Sequence, residues 1–456
     1  MLYSLLLRLV LPLQALGFWW RGWRHPVYRG SLRAHLWLEM PARADRPLWL
    51  HAASAGEVQS LAGLLQHLRA QFPALPLLLT VGTPTGLLRA RELYAAWLDA
   101  TPEGAGPALT VRPAPWDLPG ATRRFLSASN PRMAVFVETE LWPNLVQGAA
   151  ARGLPVLLIS ARVSARSASR YQRWAPRLMR DTVRAFALIA AQGAADRERF
   201  IALGAEPSRV LVQGNLKFDL PLPDNVASRG AQVRARIAPR RAMWVAGSTH
   251  PGEEAFCLVA QRALRAAAGP TPGVAPLLVL APRRPERFES VAQWLAAQGV
   301  ACIRYGEAAE GAEPVGDEVD VLLVDRFGEL LNCYAAADVC FVGGTLVPVG
   351  GHNLLEPAAL GKPVLAGPYC FNAPDCAQLL AAAGVLRQVR DGAQLTQALR
   401  EWLEDPSLAS RLGEKAAAAV AANRGAAAQA MQTITALLGQ APGSASASKT
   451  SRSAGG

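Results

Sequence analysis

Short, wholly apolar runs recur along this chain with amphipathic stretches between them, and that alternation limits the fold more than any other feature. From Pro47 onward the runs fall at 48–50, 77–81, 133–137, 156–159, 188–190 and 210–212. The pattern then restarts at 242–246 and continues at 277–280, 321–324, 339–342 and 363–365. A strand that is apolar on both sides must be covered on both faces. Helix-length segments between such strands are the crossovers that parallel pairing requires. The expected architecture is therefore α/β, with two parallel sheets, each wrapped in helices. A length of 456 residues fits two such domains better than one. The Pro-rich gap from 220 to 241 is the expected junction between them. The expected division is 1–38 as an anchor and its basic flank, 39–219 and 220–438 as the two domains, and 439–456 as a disordered Ser/Ala/Gly-rich tail.

Before the first strand, residues 1–20 are apolar apart from Arg8, Gln14 and Ser4, and Trp19, Trp20 and Trp23 then cluster beside Arg21, Arg24, Arg29 and Arg33. An apolar stretch, an aromatic belt and a positive flank together read as membrane attachment, with the following chain on the cytoplasmic side. Arg8 and Pro12 make the stretch a poor span, so a helix lying in the interface is the competing reading.

Charge and cysteine content narrow the function. The formal charge is +12, yet the chain has only four lysines among its 47 basic residues. Such a skew towards Arg is as much a compositional bias as a binding adaptation. An anionic lipid surface satisfies it as well as a nucleic acid does, and no nucleic-acid partner is expected. The six cysteines form no C-x-x-C pair, which favours buried reduced thiols over a disulfide framework or a zinc site.

In a doubly wound sheet the ligand crevice lies where strand C-termini meet helix N-termini. The loops after the expected strands are accordingly where chemistry should lie. The first is His51-Ala-Ala-Ser54-Ala-Gly56-Glu57. Its carboxylate could serve as a general base for a hydroxyl, but Ser54-x-x-Glu57 is equally a helix capping box. The second is Glu138-Thr-Glu140-Leu-Trp-Pro-Asn144, whose two carboxylates at i and i+2 point the same way and could raise each other's proton affinity or hold a base in position. A third feature is an arginine stripe at 162, 166, 170, 173, 177, 180 and 184, spaced for one helical face and suited to phosphates, or else simply solvated. In the second half, Gly343-Gly344-Thr345 and Gly350-Gly351-His352-Asn353 would let a phosphate approach the backbone beside a helix start. His250 and His352 lack the companions a metal site needs, so no metal ligand is expected.

Read together, HAASAGE, ETELWPN, ARVSARSASRY, GNLKFD, AGSTHPGEE, PRRPERF, FGELLNCYAAADVCFVGGT and GGHNLLEP, following a hydrophobic N-terminus, resemble the 3-deoxy-D-manno-octulosonic acid (Kdo) transferases of lipopolysaccharide synthesis. The resemblance runs to about residue 425. It implies a GT-B glycosyltransferase fold, with two Rossmann-like domains facing across a cleft, acceptor on the first and nucleotide on the second. It also implies an inverting, metal-independent transfer of Kdo from CMP-Kdo to the phosphorylated lipid A precursor, at the cytoplasmic face of a bacterial inner membrane and without a cofactor. Carried over by motif, Glu57 is the implied general base, and Glu138 and Lys217 are the implied transition-state stabilisers. Arg283, Arg284, Gly328, Glu329, Leu330, Asn353, Leu354, Leu355 and Glu356 are the implied CMP contacts. Arg284 stands where the family usually has His, which puts that nucleotide contact in question. HAASAGE has smaller residues than the family's HSVSVGE, a change expected to matter little. A GT-B transferase using a UDP- or GDP-sugar, and a non-catalytic membrane-tethered anion-binding protein, are the alternatives.

Overall fold

The computed structural model describes residues 2–24, 31–38, 43, 45–98, 109–269, 275–311 and 313–440. It divides into two compact units. One runs to Leu220 and takes the chain back from Arg424, and the other is Pro221–Asn423.

The first unit holds β1 (Leu48–Ala52), β2 (Leu77–Val81), β3 (Leu109–Pro113), β4 (Met133–Val137), β5 (Val156–Ala161), β6 (Leu188–Ala191) and β7 (Val210–Val212). All pairings are parallel, in the order β3-β2-β1-β4-β5-β6-β7. The second holds β8 (Met243–Thr249), β9 (Leu277–Pro282), β10 (Cys302–Arg304), β11 (Val321–Leu323), β12 (Val339–Val342), β13 (Val364–Ala366) and β14 (Leu386–Gln388). These are also parallel, ordered β10-β11-β9-β8-β12-β13-β14. Strand order therefore reverses between β1 and β4 in one sheet and between β8 and β12 in the other. Such reversals open the crevice in which α/β sheets bind ligands.

The apolar runs become central strands because both their faces are covered. In β1, β2, β4, β5, β9 and β12 every residue is buried. Trp49, Phe125 and Phe136 pack edge to face on one side of the first sheet, with ring centroids 4.6 and 5.1 Å apart. Three strands were not expected from the sequence: β3, β10 and β14. Each is an edge strand and carries an Arg that is exposed in β3 and half-buried in β10 and β14, which breaks the apolar signature of the interior strands.

The division at 438 is also corrected. The helix Ala426–Gln440, assigned by sequence to the second domain, belongs to the first unit. Its Ala427, Ala430, Met431 and Ile434 enter the same core as Leu64, Leu68 and Leu77. Asp219 fixes its start by accepting from the backbone N–H of Gly425 and of Ala427, both at 2.6 Å. Gly63 makes room for this clamp, since a Cβ there would meet the Asp219 carbonyl oxygen at 2.7 Å. The helix reaches Gln440, two residues into the expected tail; the rest of that tail, 441–456, lies outside the described residues.

The N-terminal stretch forms a helix, Leu2–Arg24, bound to the first unit through Tyr3 Oη, which donates to Asp117 Oδ2 (2.8 Å), and Ser4 Oγ, which donates to Asn144 Oδ1 (3.0 Å). Leu2, Leu5, Leu6, Leu9, Trp20 and Trp23 are exposed. Among the described residues no helix is long and apolar enough to cross a membrane. Of the basic flank, Arg29 lies outside the described residues.

Candidate active site

Glu57 sits on the helix Ala55–Ser60 directly after β1, at the reversal point of the first sheet. The capping reading of this motif is realised. Ser54 Oγ accepts from Glu57 N (3.3 Å), and the Glu57 carboxylate reaches back to accept from Ala53 N (2.5 Å) and Ser54 Oγ (3.2 Å). Capping does not exhaust the residue's role. Burial, and then the charges of Glu140 and Glu138, push its carboxyl up to about 8, against the two hydrogen bonds that favour the ion. A carboxyl that exchanges its proton near neutrality suits a general base.

The neighbouring strand β4 ends in Glu138, held at φ +62°. A left-handed backbone at a residue with a Cβ is strained, and here it turns the carboxylate out of the strand. Lys217 Nζ lies 2.5 Å from Glu138 Oε1. Lys217 is presented by the 3₁₀ turn Leu216–Phe218, in which Asn215 Oδ1 accepts from the Lys217 amide (3.0 Å). Ser160, also left-handed at φ +50° and buried, steadies that turn by bonding Asn215 Oδ1 and the Leu216 amide, each at 3.3 Å. The first unit thus brings Glu57, Glu138 and Lys217 together at the C-terminal ends of β1, β4 and β7.

Glu140 lies at the same edge. His51 Nε2 is 3.1 Å from Glu140 Oε2, and Trp142 Nε1 also donates to that oxygen. Between these loops and the N-terminal helix lies a cavity of about 520 Å³, lined by Leu7, Leu11, Trp116 and Trp142 together with His51 and Glu140. Buried Asp117 borders it, and burial pushes its carboxyl up to about 6.

The residues expected to contact CMP all lie in the second unit, in loops and helix starts that follow strands. Arg283 and Arg284 follow β9; Gly328, Glu329 and Leu330 follow β11; Asn353, Leu354, Leu355 and Glu356 follow β12. Gly328 adopts φ +91°, which a side chain would resist, while Glu329 turns inward to accept from Tyr305 Oη (3.0 Å) and Asn332 Nδ2 (2.8 Å). Asn353 Oδ1 accepts from Leu355 N (3.0 Å) and its amide donates to Glu356 (3.1 Å), fixing the start of a short helix.

The Gly343-Gly344-Thr345 loop differs from expectation. The amides of Gly344, Thr345 and Leu346 all donate to the carboxylate of buried Glu253, at 2.6, 3.0 and 2.9 Å. A built-in carboxylate thus fills the seat a phosphate would take, and the loop acts as a brace. Nothing local in the sequence signals this, because Glu253 lies on the helix after β8 and meets the loop only through the strand reversal. His250 and His352 are also brought together, with Nε2 atoms 2.8 Å apart and rings nearly parallel. Burial, then Arg283 and His250, push His352 down to about 3. Among the described residues no group of three His, Cys, Asp or Glu side chains is placed to hold a metal ion.

The arginine stripe is not one helix. It breaks at Ala175 into Ala165–Trp174 and Pro176–Arg184, because the residue before a proline is driven out of the helical region. Arg162 precedes both segments. Arg166, Arg170, Arg173, Arg177, Arg180 and Arg184 are exposed. Trp174 is 75% exposed among them, with the Arg173 guanidinium 5.3 Å from its ring centre.

Two Rossmann-like units, each with its strand reversal and with candidate residues at the C-terminal strand ends, form the GT-B architecture on which a large class of glycosyltransferases is built. Residues 311–419 match the family model for glycosyl transferases group 1. Residues 29–220 match the model described as 3-deoxy-D-manno-octulosonic-acid transferase (kdotransferase). The 3-deoxy-D-manno-octulosonic acid transferase of Bordetella pertussis is 36% identical, over 96% of this chain and 99% of that protein. That of Haemophilus influenzae is 34% identical, over 88% of this chain and 90% of that protein. Among solved structures, UDP-GlcNAc 2-epimerase from Neisseria meningitidis bound to UDP-GlcNAc shares the fold at a TM-score of 0.52 and 14% identity, covering 86% of this chain and 100% of that one. The chain belongs to the Kdo transferase family.

Proposed function

We propose that this protein transfers Kdo from CMP-Kdo to the phosphorylated lipid A precursor lipid IVA, inverting the anomeric centre and needing no metal, at the cytoplasmic face of the inner membrane. The observation that carries this reading is Glu57: a buried carboxylate that takes up a proton near neutral pH, set at the strand reversal beside the Lys217–Glu138 ion pair. Glu57 removes the proton of the attacking acceptor hydroxyl. That oxygen bonds to the anomeric carbon as the bond from this carbon to the phosphate oxygen breaks, and CMP leaves with the electron pair. Lys217, held by Glu138, offers a cation to the negative charge of the reacting sugar, and Arg283 and Arg284 offer cations to the phosphate. A nucleotide-activated donor already has a good leaving group, so no metal hydroxide is required.

Three features support a lipid acceptor: the exposed leucines of the N-terminal helix, the partly apolar cavity behind it, and the arginine-rich face with its exposed Trp174. An interfacial helix together with basic side chains is a two-signal attachment to an anionic membrane. The test is to incubate the detergent-solubilised protein with CMP-Kdo and lipid IVA, count added sugars by mass spectrometry and read the anomer by NMR. UDP- and GDP-sugars form the parallel arms. Product from those donors alone, or retained anomeric configuration, would overturn the reading.

A further inference from the structure

Glu140 has no part in the transfer as described, yet its surroundings are built with unusual care. It is buried, and the side chains of His51 and Trp142 both bond it. Trp49 Nε1 donates to Thr80 Oγ1 (2.8 Å), Thr80 Oγ1 lies 2.9 Å from His51 Nδ1, and His51 Nε2 lies 3.1 Å from Glu140 Oε2. Thr80 Oγ1 also donates to the Leu50 carbonyl oxygen (3.4 Å), and His51 bridges the Thr80 hydroxyl and the Glu140 carboxylate through its two ring nitrogens. Trp142 donates to the same oxygen from the other side. Such a chain ties β1, β2 and the loop after β4 together and fixes the Glu140 carboxylate in place, through a His51 that lies two residues before the Ala53 amide that bonds Glu57. Glu57 is served differently, by one amide and one hydroxyl, and Glu140 is the charge that weighs most on it.

We propose that Glu140 is a positioning residue for the transfer: fixed by His51 and Trp142, it holds a negative charge against Glu57 and so sets how readily Glu57 takes the proton of the attacking hydroxyl. This inference rests on the transfer reading given above. Other titratable groups lie on the elements packed around the Glu57 helix. From the β4 loop there is Glu138, itself paired with Lys217 of the 3₁₀ turn, and from β1 there is His51. The packed helix Pro84–Leu93 carries Arg91 and also Arg89 and Glu92, which are paired with each other at 3.4 Å. The following helix carries His67 and Arg69, the latter bonded to the carbonyls of Pro73 and Leu75. Of these, Glu140 can be neutralised without touching the Lys217 pair.

The test is the pH dependence of kcat/KM for Kdo transfer in wild type, Glu140→Gln and Glu140→Asp, with folding checked by thermal melting. Glu140→Gln should move the rising limb of the profile to lower pH by roughly one unit, and lower the alkaline plateau by about 2–10-fold because the base is weaker. Glu140→Asp keeps the charge and should leave the limb near its wild-type position. Trp142→Phe removes one donor from Glu140 and should displace the limb in the same direction as Glu140→Gln, by less. It carries the test by itself if Glu140→Gln does not fold. Activity lost in these variants with the limb unmoved would mean Glu140 is only structural, and unchanged profiles would equally overturn the proposal. Glu57→Gln is run alongside: if it still transfers Kdo, the underlying mechanism fails instead, so the two failures are distinguishable.

Discussion

Replacing Glu57 by Gln should destroy transfer and, at alkaline pH, make the protein harder to unfold. The carboxyl moves from its ordinary 4.5 in the unfolded chain to about 8 in the folded one. Between those two values the unfolded chain has released a proton that the folded chain still holds, so raising the pH favours unfolding. At 1.36 kcal/mol per tenfold in proton affinity, the folded state loses up to about 5 kcal/mol by pH 9 and almost nothing near pH 4. Glu57 is only 9% exposed, so solvent screening reduces this little. Glutamine keeps the shape and can still accept from the Ala53 amide, so most of the cap survives while the burial of charge is removed. Thermal melts of the two proteins should therefore nearly coincide around pH 5. They should separate by roughly 10–20 °C around pH 9, with the variant higher, at about 2–4 °C per kcal/mol for a unit of this size. A variant that melts below wild type at every pH and still transfers Kdo would refute the reasoning and leave Glu57 as a helix cap alone.

Transfer should survive EDTA, and a loss restored by Mg²⁺ or Mn²⁺ would sink the metal-free mechanism. Lys217→Met leaves Glu138 buried without its cation and should lower kcat by about 10²-fold or more, with CMP affinity, measured by calorimetry, unchanged because the residues proposed to hold CMP lie in the other unit. Changing Arg166, Arg170 and Arg173 to Gln should weaken sedimentation with acidic vesicles by about 1 kcal/mol per Arg at low salt and less as salt rises; equal binding by the triple variant would leave the stripe a solvated face. Asp219→Ala frees two backbone donors at the start of the last helix and should cost about 1–3 kcal/mol, read as earlier protease cleavage within 426–440 than within the second unit.

The interior strands could be read from sequence because short apolar runs have few other uses, and the loops after them place Glu57, Glu138 and Lys217 at the C-terminal edge of the first sheet. Edge strands such as Cys302–Arg304 and Leu386–Gln388 escaped because half their surroundings are water. The arginine spacing held over each half of the stripe, but the phase was lost at Ala175, where Pro176 decides the backbone. The seating of Glu253 against Gly344, Thr345 and Leu346 spans 91 to 93 residues and depends on two strands being neighbours. The path of Ala426–Gln440 is of the same kind: an Ala-rich amphipathic helix has the same pattern whichever sheet it covers.

That returning helix fixes an order of events during synthesis on the ribosome. Asp219 waits for amides 206 and 208 residues downstream, and the Leu64–Leu68 face of the first core stays uncovered until Ala427 to Ile434 emerge. The whole second unit, Pro221–Asn423, is made in that interval and can close on itself first. Translation that stops short of residue 426 therefore yields an intact second unit joined to an open first unit. A nonsense mutation late in the gene would damage the end of the protein that is made first.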